Sequence, residues 1–264
     1  MDELVQFKAT QRQAWAHFTP FEQATAMTAP RLVAFAGVRT GQRILDVACG
    51  TGVVAITAGR GGARVTGLDL TPELLQRARE NAALAGVEVE WHEGDVESLP
   101  FGDAAFDVVL SQFGHMFAPR PEVATREMLR VLKPGGVIAF STWPPELCIG
   151  RVFALTGRYL PPLPAFVSPP PQWGDPTIVR DRLGAAVTGL VFDRAVMTFP
   201  ALSPAHYRSF FETHAAPARR VVQTLQGEPA RLAAFRREVE ELVAQYHRDN
   251  VVRQSYLMTR ATKA

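Results

Sequence analysis

Residues 44–52 read Ile44-Leu45-Asp46-Val47-Ala48-Cys49-Gly50-Thr51-Gly52. A short apolar run carrying one carboxylate passes through small residues into a helical pattern. Small residues let a ligand come close to the backbone. The unpaired N–H groups of a helix N-terminus face it there. Open α/β sheets bind ligands in the crevice at the carboxyl ends of their strands. The stretch therefore reads as a strand–turn–helix unit of such a sheet, with the turn at 48–52 as a candidate ligand site and Asp46 just before it.

The same alternation continues outward. Arg64–Leu68 reads as a second strand, and Thr71-Pro72 opens a helix with Thr as N-cap and Pro at the first position, closing at Gly86. Val87–Glu93, Phe106–Ser111 and Val137–Thr142 read as further strands, with a helix over 121–132 before the Lys133-Pro134-Gly135-Gly136 stop. Residues 144–173 are proline-rich, which excludes a central strand or a long helix there. A helix capped by Asp175 runs to Val187, and Leu190–Phe199 and Ser255–Thr262 supply the last strands, with two helices between them. Repeated strand–helix alternation with right-handed crossovers gives an α/β fold. The expected architecture is Rossmann-like and doubly wound: a mostly parallel seven-stranded sheet with a helical cap. The chain is expected to be a single catalytic domain over 1–264. Its sheet core spans about 31–143, 175–200 and 251–264, and its cap or lid 1–29, 144–173 and 203–247.

Two further strand tips carry carboxylates. Asp69 follows Gly50 by 19 residues, at the end of the second strand, where it can accept hydrogen bonds from both hydroxyls of a ribose. Two such charged bonds, at roughly 1.5–3 kcal/mol each, would be a large share of nucleoside affinity. In Gly94-Asp95-Val96 the Asp95 carboxylate can accept from an exocyclic amine while the Val96 N–H reaches a ring nitrogen, a pair that recognises adenine. Gly50-Thr51-Gly52-Val53-Val54-Ala55 also satisfies the dinucleotide fingerprint G-x-G-x-x-[GA]. Two features speak against a pyrophosphate. Asp46 would place a negative charge beside it, whereas a cationic or amine-bearing ligand is favoured there. The sequence also has no Tyr-x-x-x-Lys pair, since Tyr256 is followed at that offset by Arg260.

Composition narrows the function classes. The 264 residues are 47% hydrophobic and 20% charged, with 28 basic against 26 acidic side chains and a net charge of +2. This is globular composition without a nucleic-acid electrostatic footprint. Cys49 and Cys148 form no metal-ligand spacing and no disulfide framework, so no metal is expected. The N-terminus has no apolar signal region and no apolar run is long enough to span a membrane, so the expectation is a cytoplasmic protein with a small-molecule partner and no nucleic acid. Monomer and homodimer both stay open.

Taken together, ILDVACGTG, the acidic end of VTGLDL, GDVESLPF, FDVVLSQF and VLKPGG resemble the class I S-adenosylmethionine-dependent methyltransferases, closest to the UbiE-like small-molecule subgroup. The resemblance covers about residues 31–143 in motif and the remainder in architecture. It implies S-adenosyl-L-methionine as cofactor. Asp46 and the turn through Ala48, Gly50, Thr51 and Gly52 would hold its methionine portion, and Asp69 its ribose. Leu70 and Val96 would flank adenine, Asp95 would bind the adenine amine, and Ser111 and Gln112 would lie beside the sulfonium. Ala48 stands where many relatives have Gly, which requires a negative φ at that position.

For the acceptor, His115 after the fourth strand is the candidate general base, its ordinary pKa near 6.5 suiting neutral-pH proton transfer. Trp15, Phe18, Phe113, Phe117 and Trp143 are candidates for an apolar substrate pocket. The expected activity is methyl transfer to a small aromatic or apolar metabolite at oxygen, nitrogen or carbon. A nicotinamide-dependent oxidoreductase and a non-catalytic cofactor-binding protein stand as alternatives.

Overall fold

The computed structural model describes residues 2–264. Three helices lead in: α1 (Glu3–Trp15), α2 (Glu22–Ala26) and α3 (Ala29–Ala36). The alternating half follows as β1 (Arg43–Val47), α4 (Val53–Arg60), β2 (Arg64–Asp69), α5 (Pro72–Ala85), β3 (Val89–Glu93), β4 (Phe106–Gln112), α6 (Pro121–Val131) and β5 (Leu132–Thr142). Then come α7 (Cys148–Arg158), α8 (Pro176–Leu183), β6 (Val187–Pro200), α9 (Pro204–His214), α10 (Ala216–Thr224), α11 (Pro229–Ala244), the short β7 (His247–Arg248) and β8 (Val251–Lys263).

The sheet order is β3-β2-β1-β4-β5-β8-β6, with β7 paired to β8. The pairs among β1 to β5 are parallel, whereas β8 runs antiparallel to both β5 and β6. The expected doubly wound, mostly parallel sheet is present, with β8 reversed and the two-residue β7 adding an eighth strand to the seven expected. Strand order reverses between β1 and β4, so a crevice opens where their carboxyl ends part, the usual ligand position in such sheets.

Side-chain alternation explains why the central strands are apolar throughout. In β1, Ile44 packs with Leu32, Val54, Val65, Val108 and Leu110 on one face of the sheet. Leu45 and Val47 pack with Leu68, Val109, Met128 and Phe140 on the other. Successive residues of a strand point to opposite faces, so a strand covered on both sides needs apolar residues at nearly every position.

Several boundaries depart from expectation. β3 starts at Val89, because the Val87 N–H donates to the Ala82 carbonyl at 3.0 Å and closes α5. The Lys133–Gly136 stretch is itself strand, with a register shift against β4 at Phe106/Val108. The proline-rich segment holds the 11-residue helix α7, since its prolines flank residues 148–158 and do not fall within them. Gly184, at φ +52°, ends α8 three residues before Val187. Three helices, not two, separate β6 from β8; the chain turns extended at Ala215 (φ −87°, ψ 122°), and Pro217, which has no N–H to donate, sits in the first turn of α10.

The end of β4 presses on the turn after β1. An ideal Cβ at Gly114 would lie 2.5 Å from both the Ala48 carbonyl oxygen and its Cβ, and backbone cannot yield there cheaply. Gly114→Ala should therefore cost about 1–3 kcal/mol in chemical denaturation. Gly102→Ala, where an added Cβ meets nothing within 4 Å, should stay within about 0.5 kcal/mol of the parent.

Candidate functional site

The turn after β1 alternates through the left-handed region: Ala48 φ +53°, Gly50 φ +54° and Gly52 φ +81°. The negative φ expected at Ala48 is not found. Three bonds hold the turn: the Cys49 N–H to the Leu68 carbonyl (3.0 Å), the Gly50 N–H to Asp69 Oδ2 (2.8 Å) and the Gly52 N–H to the Cys49 carbonyl (2.9 Å). These lock Ala48 into a conformation that costs an L-residue about 1–2 kcal/mol. Gly52 is needed for space as well as φ, since a Cβ there would sit 2.6 Å from the Trp91 ring.

Asp69 is buried, and both carboxylate oxygens are engaged, one by the Gly50 N–H and the other by the Thr71 N–H at 2.9 Å. Thr71, the expected cap of α5, makes no side-chain cap bond, and Asp69 takes its N–H instead. Burial pushes the Asp69 carboxyl up despite the opposing pull of these N–H bonds. Asp46 lies behind the turn. Its Oδ2 accepts the Ala55 N–H at 3.0 Å, its Oδ1 is buried with no partner, and burial with the nearby Asp69 charge pushes its pKa up to about 8. Ser111 is also behind the wall: its hydroxyl donates to the Val47 carbonyl at 2.7 Å and accepts the His115 N–H at 3.1 Å, tying β4 to β1.

A cavity opens above these tips. Ala48, Gly50, Thr51, Asp69, Leu70, Asp95, Val96 and Gln112 line one end of it, whereas Asp46, Gly52 and Ser111 do not reach its wall. Gln112 donates through Nε2 to the Thr25 carbonyl at 2.9 Å and leaves its buried Oε1 without a partner. Asp95 accepts the Glu97 N–H at 2.9 Å through Oδ1 and meets Lys8 Nζ at 2.5 Å through Oδ2. Lys8 also pairs with the buried Glu97 at 2.6 Å, which in turn takes Arg120, so α1 is strapped across the third strand tip. Lys8 stands 87 residues from Asp95, and no local pattern signals that pairing.

The other end of the cavity is aromatic. Trp15, Phe18, Phe113, Phe117 and Trp143, all singled out in the sequence, line it together. Phe113, at φ +60°, stacks on Trp143 with centroids 4.0 Å apart and planes 7° from parallel. Trp15 packs against Phe18 at 5.7 Å and Phe117 at 4.5 Å. Sequence reasoning missed Phe21, Phe153, Met197, Tyr207, Phe211 and Gln254, which complete the wall. Phe153 lies on α7 and Tyr207 and Phe211 on α9, where their spacing looks the same as that of ordinary core residues.

His115 is a correction. It is fully buried, wedged between the rings of Phe140 (4.6 Å) and Trp173 (4.7 Å), and it does not line the cavity. Neither ring nitrogen has a partner, and burial, with a smaller push from Arg182, drives its pKa down to about 3. A neutral, walled-in imidazole cannot take a proton from a bound acceptor.

Residues 45–140 match the family model described as a methyltransferase domain. Over 258 residues, 96% of this chain and 94% of the relative, the sequence is 37% identical to an uncharacterised protein of Mycobacterium tuberculosis. It is 30% identical over 215 residues, 75% of this chain and 86% of the relative, to a ubiquinone biosynthesis O-methyltransferase of Salmonella arizonae.

The chain belongs to the class I S-adenosylmethionine-dependent methyltransferases.

The fold agrees. A solved structure titled a putative methyltransferase of Bacillus halodurans superposes with a TM-score of 0.61, covering 89% of this chain and 98% of that one, at 20% identity. The methyltransferase's methyl donor is S-adenosylmethionine, and the wall fits such a ligand. The Gln112 Oε1 lacks a partner beside the turn, and a Cβ at Gly50 would meet nothing within 4 Å. An unpaired acceptor beside an open turn suits a ligand bearing positive charge. Among the described residues, no helix is long and apolar enough to cross a membrane.

Two measurements check this electrostatic account. Asp46 has a folded pKa above its unfolded one, so the folded state binds the extra proton and stability falls as pH rises from about 4 to about 8. Asp46→Asn should therefore raise the melting temperature of the ligand-free protein at pH 8, with the gain fading toward pH 4.5. For His115 the folded pKa is lowered, so the unfolded chain binds the extra proton and stability is lost as pH falls from about 6.5 toward about 3. His115→Phe should flatten that acid limb in urea titrations at pH 7.5 and 4.5.

Proposed function

We propose that this methyltransferase moves a methyl group from S-adenosylmethionine to a small aromatic or otherwise apolar metabolite, at oxygen, nitrogen or carbon. The observation that carries the reading is the single cavity, polar at the β1, β2 and β4 tips and aromatic beyond Phe113 and Trp143.

In this reading Asp69 takes the ribose hydroxyls while still holding the Gly50 and Thr71 N–H groups. Leu70 and Val96 flank the adenine, and Asp95 receives its amine in competition with the Lys8 ammonium. The turn at Ala48, Gly50 and Thr51 receives the methionine portion. Gln112 Oε1 faces the sulfonium side, and Asp46 braces the turn from behind through the Ala55 N–H. The donor, when bound, supplies an already activated methyl. The protein's part is alignment of the two reactants and exclusion of water by the aromatic wall.

The chamber has no general base among the described residues. Of its titratable side chains near the donor end, Lys8, Asp69 and Asp95 are all engaged, and burial pushes the Cys49 thiol well above its ordinary range. Tyr207 at the other end has its phenol pushed well above the usual range by burial. Acceptors that are already ionised in water, or that lose a proton to water after transfer, match this wall. The mechanism needs no proton relay through His115.

The test is donor binding followed by transfer. S-adenosylhomocysteine should bind the purified protein in a calorimeter, and tritiated methyl from the donor should reach one of a panel of hydroxy- and amino-arenes. Asp69→Asn should weaken S-adenosylhomocysteine binding by about tenfold or more, from loss of charged hydrogen bonds. Phe113→Leu with Trp143→Leu should lower transfer at least tenfold while leaving that affinity within threefold. No binding of S-adenosylhomocysteine would overturn the donor site, and transfer untouched by the double variant would overturn the acceptor chamber.

A further inference from the structure

One buried polar pair interrupts the apolar wall of the chamber. Tyr207 on α9 and Gln254 on β8 are each 2% exposed, and both line the cavity. Gln254 Nε2 donates to the Tyr207 hydroxyl at 3.0 Å, the one hydrogen bond either side chain makes among the described residues. A phenol carries one proton and acceptor lone pairs, and a primary amide two protons and a carbonyl oxygen. Whichever way round the amide sits, the pair keeps a free proton and a free acceptor. Apolar side chains flank the pair: Phe199 meets the Tyr207 ring edge-on at 5.4 Å, Phe211 stacks at 6.0 Å, and Met197 pairs across from Gln254 in the sheet.

The position is as informative as the chemistry. Donor-side residues sit on the β1, β2, β3 and β4 tips, whereas Gln254 belongs to β8, beyond β5 in the sheet order. Leu257 of β8 pairs with Thr142 at the end of β5, so Gln254 lies past that end, on the side to which Trp143 continues. The pair is therefore at the end of the chamber away from the donor. Buried polar groups are nearly always hydrogen-bonded in folded proteins. A site whose buried polar groups wait for a partner discriminates strongly against ligands that lack one.

We propose that Tyr207 and Gln254 anchor the acceptor by binding a hydroxyl or carbonyl oxygen on an otherwise apolar, ring-bearing molecule, at its end remote from the methylated atom. This rests on the chamber being the acceptor site, and it narrows the substrate class from any apolar ring to one with an oxygen at that end. Unsubstituted hydrocarbons would leave the pair's spare proton and spare acceptor buried without a partner.

The experiment uses the full chain saturated with S-adenosylhomocysteine, in equilibrium dialysis against 2-naphthol and, separately, naphthalene. The parent protein should hold 2-naphthol at least tenfold more tightly than naphthalene. Tyr207→Phe and Gln254→Leu should each erase most of that ratio, while S-adenosylhomocysteine affinity, measured by calorimetry, stays within threefold. The retained affinity shows that each variant is folded. Equal binding of the two probes by the parent, binding of neither, or a ratio unchanged in the variants would overturn the anchor while the donor site stands. Failure of the parent to bind S-adenosylhomocysteine would overturn the donor reading and the anchor with it.

Discussion

The site depends on one carboxylate. Asp69 holds the Gly50 N–H with one oxygen and the Thr71 N–H with the other, joining the turn after β1 to the start of α5. Without that bridge, Ala48 would lose one of the three bonds that hold it at a positive φ, and the wall at the sheet's switch point would loosen. The cost is desolvation of a buried charge, offset in part by the two N–H donors. Asp46 repeats the arrangement one layer back with only one donor and an idle oxygen. Two buried carboxyl groups thus brace the turn from beneath, at a cost in desolvation.

The second half of the site comes from elements that share no sequence neighbourhood. α1 contributes Lys8 and Trp15, the segment between α1 and α2 contributes Phe18, β8 contributes Gln254, and α9 contributes Tyr207 and Phe211. α1 carries no buried residue of its own and is held by the Lys8 ion pairs, by Arg12 with Glu93 and by ring contacts at Trp15. The exposed Arg12–Glu93 pair contributes little. Removing the Lys8 ammonium would leave the buried Glu97 carboxylate with Arg120 as its remaining cation, so the Lys8–Glu97 pair is the firmest polar attachment of α1.

Much of this was legible in residue order because chain order and strand order coincide through β1, β2 and β3. A carboxylate closing each strand pattern lands at the same edge of the sheet, so Asp69 and Asp95 could be placed without coordinates. Apolar side chains just past strand ends, such as Phe113 and Trp143, could be placed for the same reason. What stayed hidden needs tertiary information. His115 begins a single turn after β4, and the bond from its N–H to Ser111 fixes a backbone that sends the ring into the core rather than the cavity. Tyr207 and Phe211 lie four apart on a helix, indistinguishable in sequence from any buried stripe. α7 was masked by the prolines on either side of it. The left-handed Ala48 breaks a local preference, and long-range bonds alone decide that.

The reversed strand has a consequence for biosynthesis. β6 is made before the three cap helices and β8 after them, yet β6 finds its pairing partner only in β8, which inserts between it and β5. The nascent chain must hold β6 and its cap helices unpaired until β8 emerges from the ribosome. The alternating half can settle early through contacts close in sequence, whereas the remaining strands close late through long loops. During that interval an unpaired strand edge is exposed to neighbouring chains.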